Sequence, residues 1–258
     1  MVVSILYFQP TQNGLFKFYC NEKKKTCQFI DKFLTYGVYL KKSEVKVLEA
    51  KEISQAVIGR LPRYFRYLGE LKDEGVERIS SQELSGLMKV TASQIRQDFN
   101  NFGGFGQQGY GYNVKELHAA IAEILGINAG NKTILIGAGN LGSAIASHID
   151  FNKKGFRLIG IFDSNPEKNG QIIAKNTVMN IVELEKFCKK NNPVCAVLCI
   201  PKSAAEEIVT RLINAGIKGF WNFSHYDLTV HKGIIVENVH LTDSLMTLAY
   251  GLNHADDE

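Results

Sequence analysis

Long apolar runs are missing from this sequence: no stretch approaches the roughly 18 residues of a membrane span, so no membrane role is expected. Charge of one sign is not in excess either. A net charge of +4 is too mild to argue for nucleic acid by itself. The five cysteines are an odd number without metal-ligand spacing, which argues against a disulfide scaffold and against a zinc site. Cys195 and Cys199 lie four apart in an apolar, strand-like run and are expected to face one side as small buried hydrophobes. Cys20 and Cys27 have room to pair, but nothing around them demands it. A reducing cytoplasm is the expected compartment. The start, Met1 to Pro10, is apolar yet lacks the basic leader and small-residue cleavage site of a secretory signal, and none is expected. No internal repeat or low-complexity segment stands out. What remains is a chain of ordinary globular composition whose 258 residues suit two domains or one large one.

The most informative stretch is Lys132 to Gly142, KTILIGAGNLG. Ile134, Leu135 and Ile136 form a short apolar run suited to a strand buried on both faces. It breaks into Gly137-Ala138-Gly139-Asn140-Leu141-Gly142, which fits G-x-G-x-x-G, and then into the helix-friendly Ser143-Ala144-Ile145-Ala146. In such a turn the first glycine allows the tight bend, the second lets the backbone approach a pyrophosphate, and the third lets helix pack closely on strand. The helix start offers free N–H groups and a positive dipole end to phosphates. Alone the hexapeptide is a weak signal, since a glycine-rich turn can be purely structural. A second strand, Arg157 to Phe162, ends in Asp163, at about the 20-residue distance of an acid that holds an adenosine ribose. A carboxylate there accepts from the ribose hydroxyls and repels a 2′-phosphate, which favours NAD(H) over NADP(H). The competing reading is that Asp163 only caps the turn Asp-Ser-Asn-Pro.

Upstream the pattern is helical. From Glu52, Ile58, Leu61, Phe65 and Leu68 recur at three- and four-residue steps, and Pro62 is expected to kink this helix or begin a new one. Ser80-x-x-Glu83 is a capping box that opens a second helix with Leu84, Leu87 and Met88 inward. Thr91-x-x-Gln94 is another, opening a third helix that buries Ile95, Phe99 and Phe102 with Asp98 at the border. Two short capped helices joined by a tight turn read as helix-turn-helix. The outer face of the third carries Ser93, Gln94, Arg96, Gln97, Asn100 and Asn101. That set is polar and mostly uncharged, where a solvated face usually carries Lys and Glu. Gln and Asn can pair with adenine, and Arg with guanine, in a major groove. Then come Gly103 to Tyr112, where glycines alternate with Gln107, Gln108 and Tyr110, as in a β-hairpin wing aimed at a minor groove or phosphates. Arg60, Arg63 and Arg66 either add phosphate contacts or form a solvated or interface face.

Val114 to Leu125, apolar at Leu117, Ile121 and Ile124, reads as a linking helix. Beyond Asp163, helical stretches near Leu184 and over Ala204 to Ala215 alternate with strand-like runs at Cys195 to Pro201, Gly219 to Ser224 and Ile234 to Val239. That alternation means a doubly wound parallel sheet. An apolar helix with Leu245, Met246, Leu248, Ala249 and Leu252 and an acidic tail close the chain. Residues 1–47, rich in aromatics and lysine, show no sustained period and no motif. They are either an accessory element or an upstream stretch wrongly included, with translation beginning nearer Val45 or Val47; the missing pattern favours the second.

The segments RLPRYFRYL, RISSQEL, QIRQDFNNFG, GQQGYGY, GAGNLG, DSNPEKNG, AGIKGFWNF and VENVHL, in this order and spacing, resemble the Rex family of redox-sensing transcriptional repressors, from about Ile53 to Leu252. The resemblance implies an α/β chain in which a winged helix-turn-helix domain (48–128) precedes a Rossmann doubly wound parallel-sheet domain (129–240). A C-terminal domain-swapped helix and acidic tail (241–258) follow, with 1–47 unassigned. It implies a homodimer on operator DNA that NADH releases and NAD+ leaves bound, and no enzyme activity. The implied cofactor residues are Gly137, Ala138, Gly139, Asn140, Leu141, Gly142, Asp163 and Pro201, with His148 standing where family members carry a tyrosine over the nicotinamide. The implied DNA contacts are Ser80, Ser81, Ser93, Gln94, Arg96, Gln97, Asn100, Gln107, Gln108 and Tyr110; Gln97 stands where many members carry Lys or Arg. A switch interface would join Arg66 to His240, which replaces an aspartate, or to Asp243 one turn later. The alternatives are an NAD-dependent oxidoreductase, for which His225, Lys202 and His231 assemble no proton donor and substrate clamp, and a module for another nucleotide such as CoA.

Overall fold

The computed structural model describes residues 53–102 and 110–254. The expectations for residues 1–47, for Cys20 and Cys27, for the wing residues Gln107 and Gln108 and for the last of the acidic tail lie outside the described residues.

The first helix, α1 (Gln55–Asp73), runs unbroken through Pro62. Pro62 and Ile58, the residue whose carbonyl loses its donor, are both exposed, so water can replace the missing bond. The buried stripe is Val57, Leu61, Tyr64 and Leu68, turned by one residue from the expected Ile58 and Phe65. After β1 (Arg78–Ile79), the capping box at Ser80 forms as read and opens α2 (Ser81–Met88). Eight residues give α2 room to bury only Leu84 and Met88, one turn apart, and Leu87 stays exposed. Lys89 adopts a left-handed conformation at φ 52°, and α3 (Ala92–Asn100) starts three residues later. The second capping box is half formed. Thr91 accepts from the Gln94 N–H, but the Gln94 side chain turns elsewhere. Strand β2 (Tyr112–Asn113) pairs antiparallel with β1 at the foot of the expected wing, and Asn113 caps α4 (Val114–Ile124). Leu117 and Ile121 join α1, α2 and α3 in one apolar core, whereas Ile124 is exposed.

The second half is the doubly wound sheet. Its strands are β3 (Asn131–Ile136), β4 (Phe156–Asp163), β5 (Ile172–Ile173), β6 (Asn176–Asn180), β7 (Cys195–Leu198), β8 (Gly219–Asn222) and β9 (Ile235–Asn238). They run in the order β5-β6-β4-β3-β7-β8-β9, parallel except for β5. Strand order reverses at β3, between β4 and β7, and such a reversal opens a crevice at the carboxyl ends of the strands. Along β3, Ile134 and Ile136 enter one core and Leu135 the other, so this strand is buried on both faces as its apolar run requires. Helix α5 (Asn140–His148) follows β3, α6 (Leu184–Asn191) precedes β7, and α7 (Lys202–Asn214) leads into β8. Cys195 and Cys199 are half-buried free thiols that burial pushes up to about 11 and about 12, poor nucleophiles at neutral pH. The last helix, α8 (Leu241–Asn253), has no buried residue.

Candidate functional site

At the carboxyl end of β3 each glycine shows its own reason. Gly137 has φ 97°, and a Cβ there would lie 2.3 Å from the Cys199 carbonyl oxygen on β7's extension. A Cβ on Gly142 would lie 1.9 Å from the Gly137 carbonyl oxygen, inside the strand–helix contact. Gly139 has open space around its Cβ position and takes an ordinary φ of −69°, so its lack of a side chain serves no internal packing. It leaves room for something outside the chain. Gly139 is also the N-cap of α5, which carries no side-chain cap, so the first N–H groups of that helix face the crevice. Across the reversal, Pro201 is the N-cap of α7, likewise without a side-chain cap.

Asp163 ends β4 beside this turn. Its Oδ2 accepts from the Ala138 N–H at 2.7 Å and its Oδ1 from the Asn165 N–H at 2.8 Å. The capping reading is therefore correct as far as it goes. Each carboxylate oxygen has a second lone pair, however, so the group is oriented and still able to accept from a ribose diol. The Ala138 carbonyl accepts from the Ser143 hydroxyl at 3.1 Å and from the Lys168 ammonium. Lys168 sits within the quoted segment DSNPEKNG, yet nothing in spacing or residue type marked it as a partner of the glycine turn.

The crevice does not include His148. It lies exposed at the far end of α5, about 12 Å of helix away, in a hollow of about 400 Å³ lined also by Phe151, Arg157 and Lys175. Within one chain His148 and the glycine turn stand at opposite ends of α5.

On α3, Ser93, Arg96, Gln97 and Asn100 are exposed on one face. Arg96 donates to the Ser81 hydroxyl at 2.9 Å, and Ser80 is committed to capping Glu83. Two expected contacts are redirected by Asp98, which is fully buried rather than at the border. Arg60 donates to both of its oxygens at 2.7 and 2.8 Å, Tyr64 donates at 2.8 Å, and the Gln94 amide donates at 2.8 Å. Arg60 is thus a clamp rather than a phosphate contact, and Gln94 turns its amide inward rather than toward a groove. Burial alone would raise the Asp98 carboxyl, but these hydrogen bonds and the Arg60 charge hold it below the usual carboxylate range. Burial first, and then Asp98, push the Tyr64 hydroxyl well up. Tyr110 is exposed at the foot of the wing, where its carbonyl accepts from Arg78 at 3.2 Å.

Arg66 is exposed, its guanidinium 5.2 Å from the Tyr67 ring centroid, and Asp243 is exposed on α8. His240 stacks on His225, with their Nδ1 atoms 3.2 Å apart. The expected Arg66 interface is therefore not formed within one chain. Among the described residues, no helix is long and apolar enough to cross a membrane and no three His, Cys, Asp or Glu side chains cluster as metal ligands.

Comparison with known proteins follows this division. A family model described as putative DNA-binding protein N-terminus matches residues 52–100, and one described as CoA binding domain matches residues 128–226. A redox-sensing transcriptional repressor Rex from Clostridioides difficile is 56% identical over 204 residues, 79% of this chain and 97% of the relative. That of Thermoanaerobacter pseudethanolicus is 56% identical over 205 residues, 80% of this chain and 92% of the relative. The crystal structure of RSP in complex with beta-NAD+ and operator DNA is 55% identical, with a TM-score of 0.74, covering 79% of this chain and 94% of that one. RSP in complex with beta-NADH is 52% identical, with a TM-score of 0.74, covering 80% and 97%. At this identity over most of its length, the chain belongs to the Rex family of redox-sensing transcriptional repressors.

Proposed function

We propose that this chain is a cytoplasmic redox-sensing repressor that binds operator DNA as a homodimer, takes NAD(H) at its glycine turn and leaves DNA when NADH binds. The observation that carries this is the pairing, in one unit, of an uncapped α5 behind an open Gly139 with an exposed polar face on α3. Its relative RSP has been seen both with NAD+ and operator DNA and with NADH. Ser81, Ser93, Arg96, Gln97 and Asn100 face the DNA; Gly137 to Gly142, Asp163 and Pro201 hold the dinucleotide. Helix α8 leaves Leu245, Met246, Leu248 and Leu252 more than half exposed, an apolar stripe too large for a lone surface helix. A second copy of the chain is its occupant, by exchange of α8. Because half-sites on DNA are a fixed distance apart, rotating two readers against each other abolishes simultaneous docking. NADH acts by binding one dimer geometry better than the other. The chain has no catalytic role in this reading.

The test is fluorescence anisotropy on a palindromic duplex enriched from random DNA by this protein, titrating NADH against fixed NAD+. Release at a low NADH fraction is expected. DNA binding indifferent to NADH, or turnover of NADH in place of simple saturable binding, would overturn the reading.

A further inference from the structure

The adenosine side of the glycine turn holds two opposite charges, and only one of them is accounted for by ribose recognition. Asp163 takes the Ala138 N–H, while the Lys168 ammonium takes the Ala138 carbonyl, so the two groups pin successive peptides of the loop from either side. Lys168 is held in place by its own backbone. Pro166–Lys168 is a single 3-10 turn, capped by Asn165 through the Glu167 N–H at 3.0 Å and closed by Lys168 N–H to Asn165 carbonyl at 3.1 Å. The lysine is half-buried, and among the described residues it makes no ion pair. An ammonium has three donors, of which the Ala138 carbonyl uses one.

We propose that Lys168 is a second determinant of coenzyme choice: it holds the turn for a free ribose diol while Asp163 is charged, and binds a 2′-phosphate once that charge is removed. This rests on the reading of the turn as a dinucleotide site. Asp163 accepts hydroxyl donors directly and repels a phosphate at the same point. The ammonium across Ala138 has the opposite preference and two further donors, but is opposed by the charged carboxylate on the other side of the same residue. Lys168 is thus a positioning residue toward NAD(H) and a latent phosphate ligand toward NADP(H).

The experiment is direct binding of NADH and NADPH, by calorimetry, to the full chain and to Asp163→Ser, Lys168→Met, Lys168→Arg and the Asp163→Ser/Lys168→Met pair. Thermal midpoints check that each variant is folded. Asp163→Ser should tighten NADPH binding by about tenfold or more, the scale of one charge-assisted hydrogen bond, and adding Lys168→Met should remove most of that gain, leaving only the part that comes from relief of the Asp163 repulsion. Lys168→Met alone should weaken NADH by about fivefold through the loosened turn, and Lys168→Arg should restore it, as expected of a charged donor to a carbonyl. An equal NADPH gain with and without Lys168, or no gain in a folded Asp163→Ser chain that still binds NADH, would overturn the proposal alone. Failure of the unsubstituted chain to bind NADH would overturn the dinucleotide reading beneath it.

Discussion

The glycine turn and the reading helix are both short, polar-looking stretches, but they are specified in opposite ways. The turn is defined by side chains that are absent. Gly137 and Gly142 are required because a Cβ would collide with carbonyl oxygens, one across the crevice on Cys199 and one within the turn itself. Helix α3 is defined by side chains that are present and by partners distant in sequence. Asp98 is met by Arg60 and Tyr64, 38 and 34 positions away. The left-handed φ of Gly137 and the contact of Gly142 with the Gly137 carbonyl are set within the turn itself, so they show in a single window of sequence even though Gly137 also meets Cys199 on the extension of a neighbouring strand. A tertiary clamp does not show in one window, and the residues that supply it look like free polar groups until their partner is located.

The largest effect expected to follow from this contrast is on the turn. Gly142→Ala forces a Cβ against backbone that cannot give, and should cost about 3 kcal/mol, the upper part of the overpacking range. Gly139→Ala meets open space at an ordinary φ and should leave the unfolding free energy within about 0.5 kcal/mol of the original, while weakening dinucleotide binding. Thermal unfolding and NADH calorimetry on both variants separate the two roles. Equal destabilisation by both would mean that Gly139 is structural.

Next comes the clamp. Asp98→Asn removes the charge that Arg60, Tyr64 and Gln94 converge on and presents two amide protons in its place. Losing one member of a buried pair costs about 3–5 kcal/mol. Arg60 keeps 28% of its side chain exposed, so water recovers part of that and about 2 kcal/mol is expected here. The pH dependence gives the sign. Asp98 titrates lower folded than its unfolded value of about 3.9, so its contribution is complete above about pH 4 and fades as pH falls through the folded value. Urea unfolding from pH 7 down to pH 3 should therefore show a steeper acid loss in the original chain than in Asp98→Asn. Parallel curves would remove Asp98 from the account of α3.

This is also why the sequence was legible in some places and not in others. The buried strand β3, the acid at the end of β4 and the capping box at Ser80 rest on local rules of spacing, and the structure reproduces them. Of the two outcomes expected at Pro62, a kink or a new helix, the second does not occur, because its position on the solvent side lets α1 pass through it. Ile58, Leu87 and Ile124 were assigned inward because periodicity locates a stripe only to within a residue, and short helices bury fewer positions than their pattern offers. Lys168 could not be found at all from spacing, because a lysine after a proline turn is ordinary surface chemistry until the Ala138 carbonyl is placed beside it.

The smallest effects sharpen the comparison most, because they fall on two neighbours of one helix. Arg96 is exposed and its only side-chain hydrogen bond among the described residues is to Ser81, whereas Gln94 spends its amide on Asp98. Arg96→Ala should leave stability unchanged and reduce operator affinity by about 1–3 kcal/mol, the scale of a bidentate base contact. Gln94→Ala should do the reverse, costing about 1 kcal/mol of stability for a half-buried hydrogen bond with little direct loss of affinity. Anisotropy on the operator duplex, alongside thermal unfolding, reads both quantities from the same preparations. A Gln94→Ala chain of unchanged midpoint that binds DNA tenfold more weakly would show that the glutamine leaves the clamp for a base when DNA arrives. The ion-paired Asp98 would then serve as a resting place for a reader rather than as the anchor of its helix.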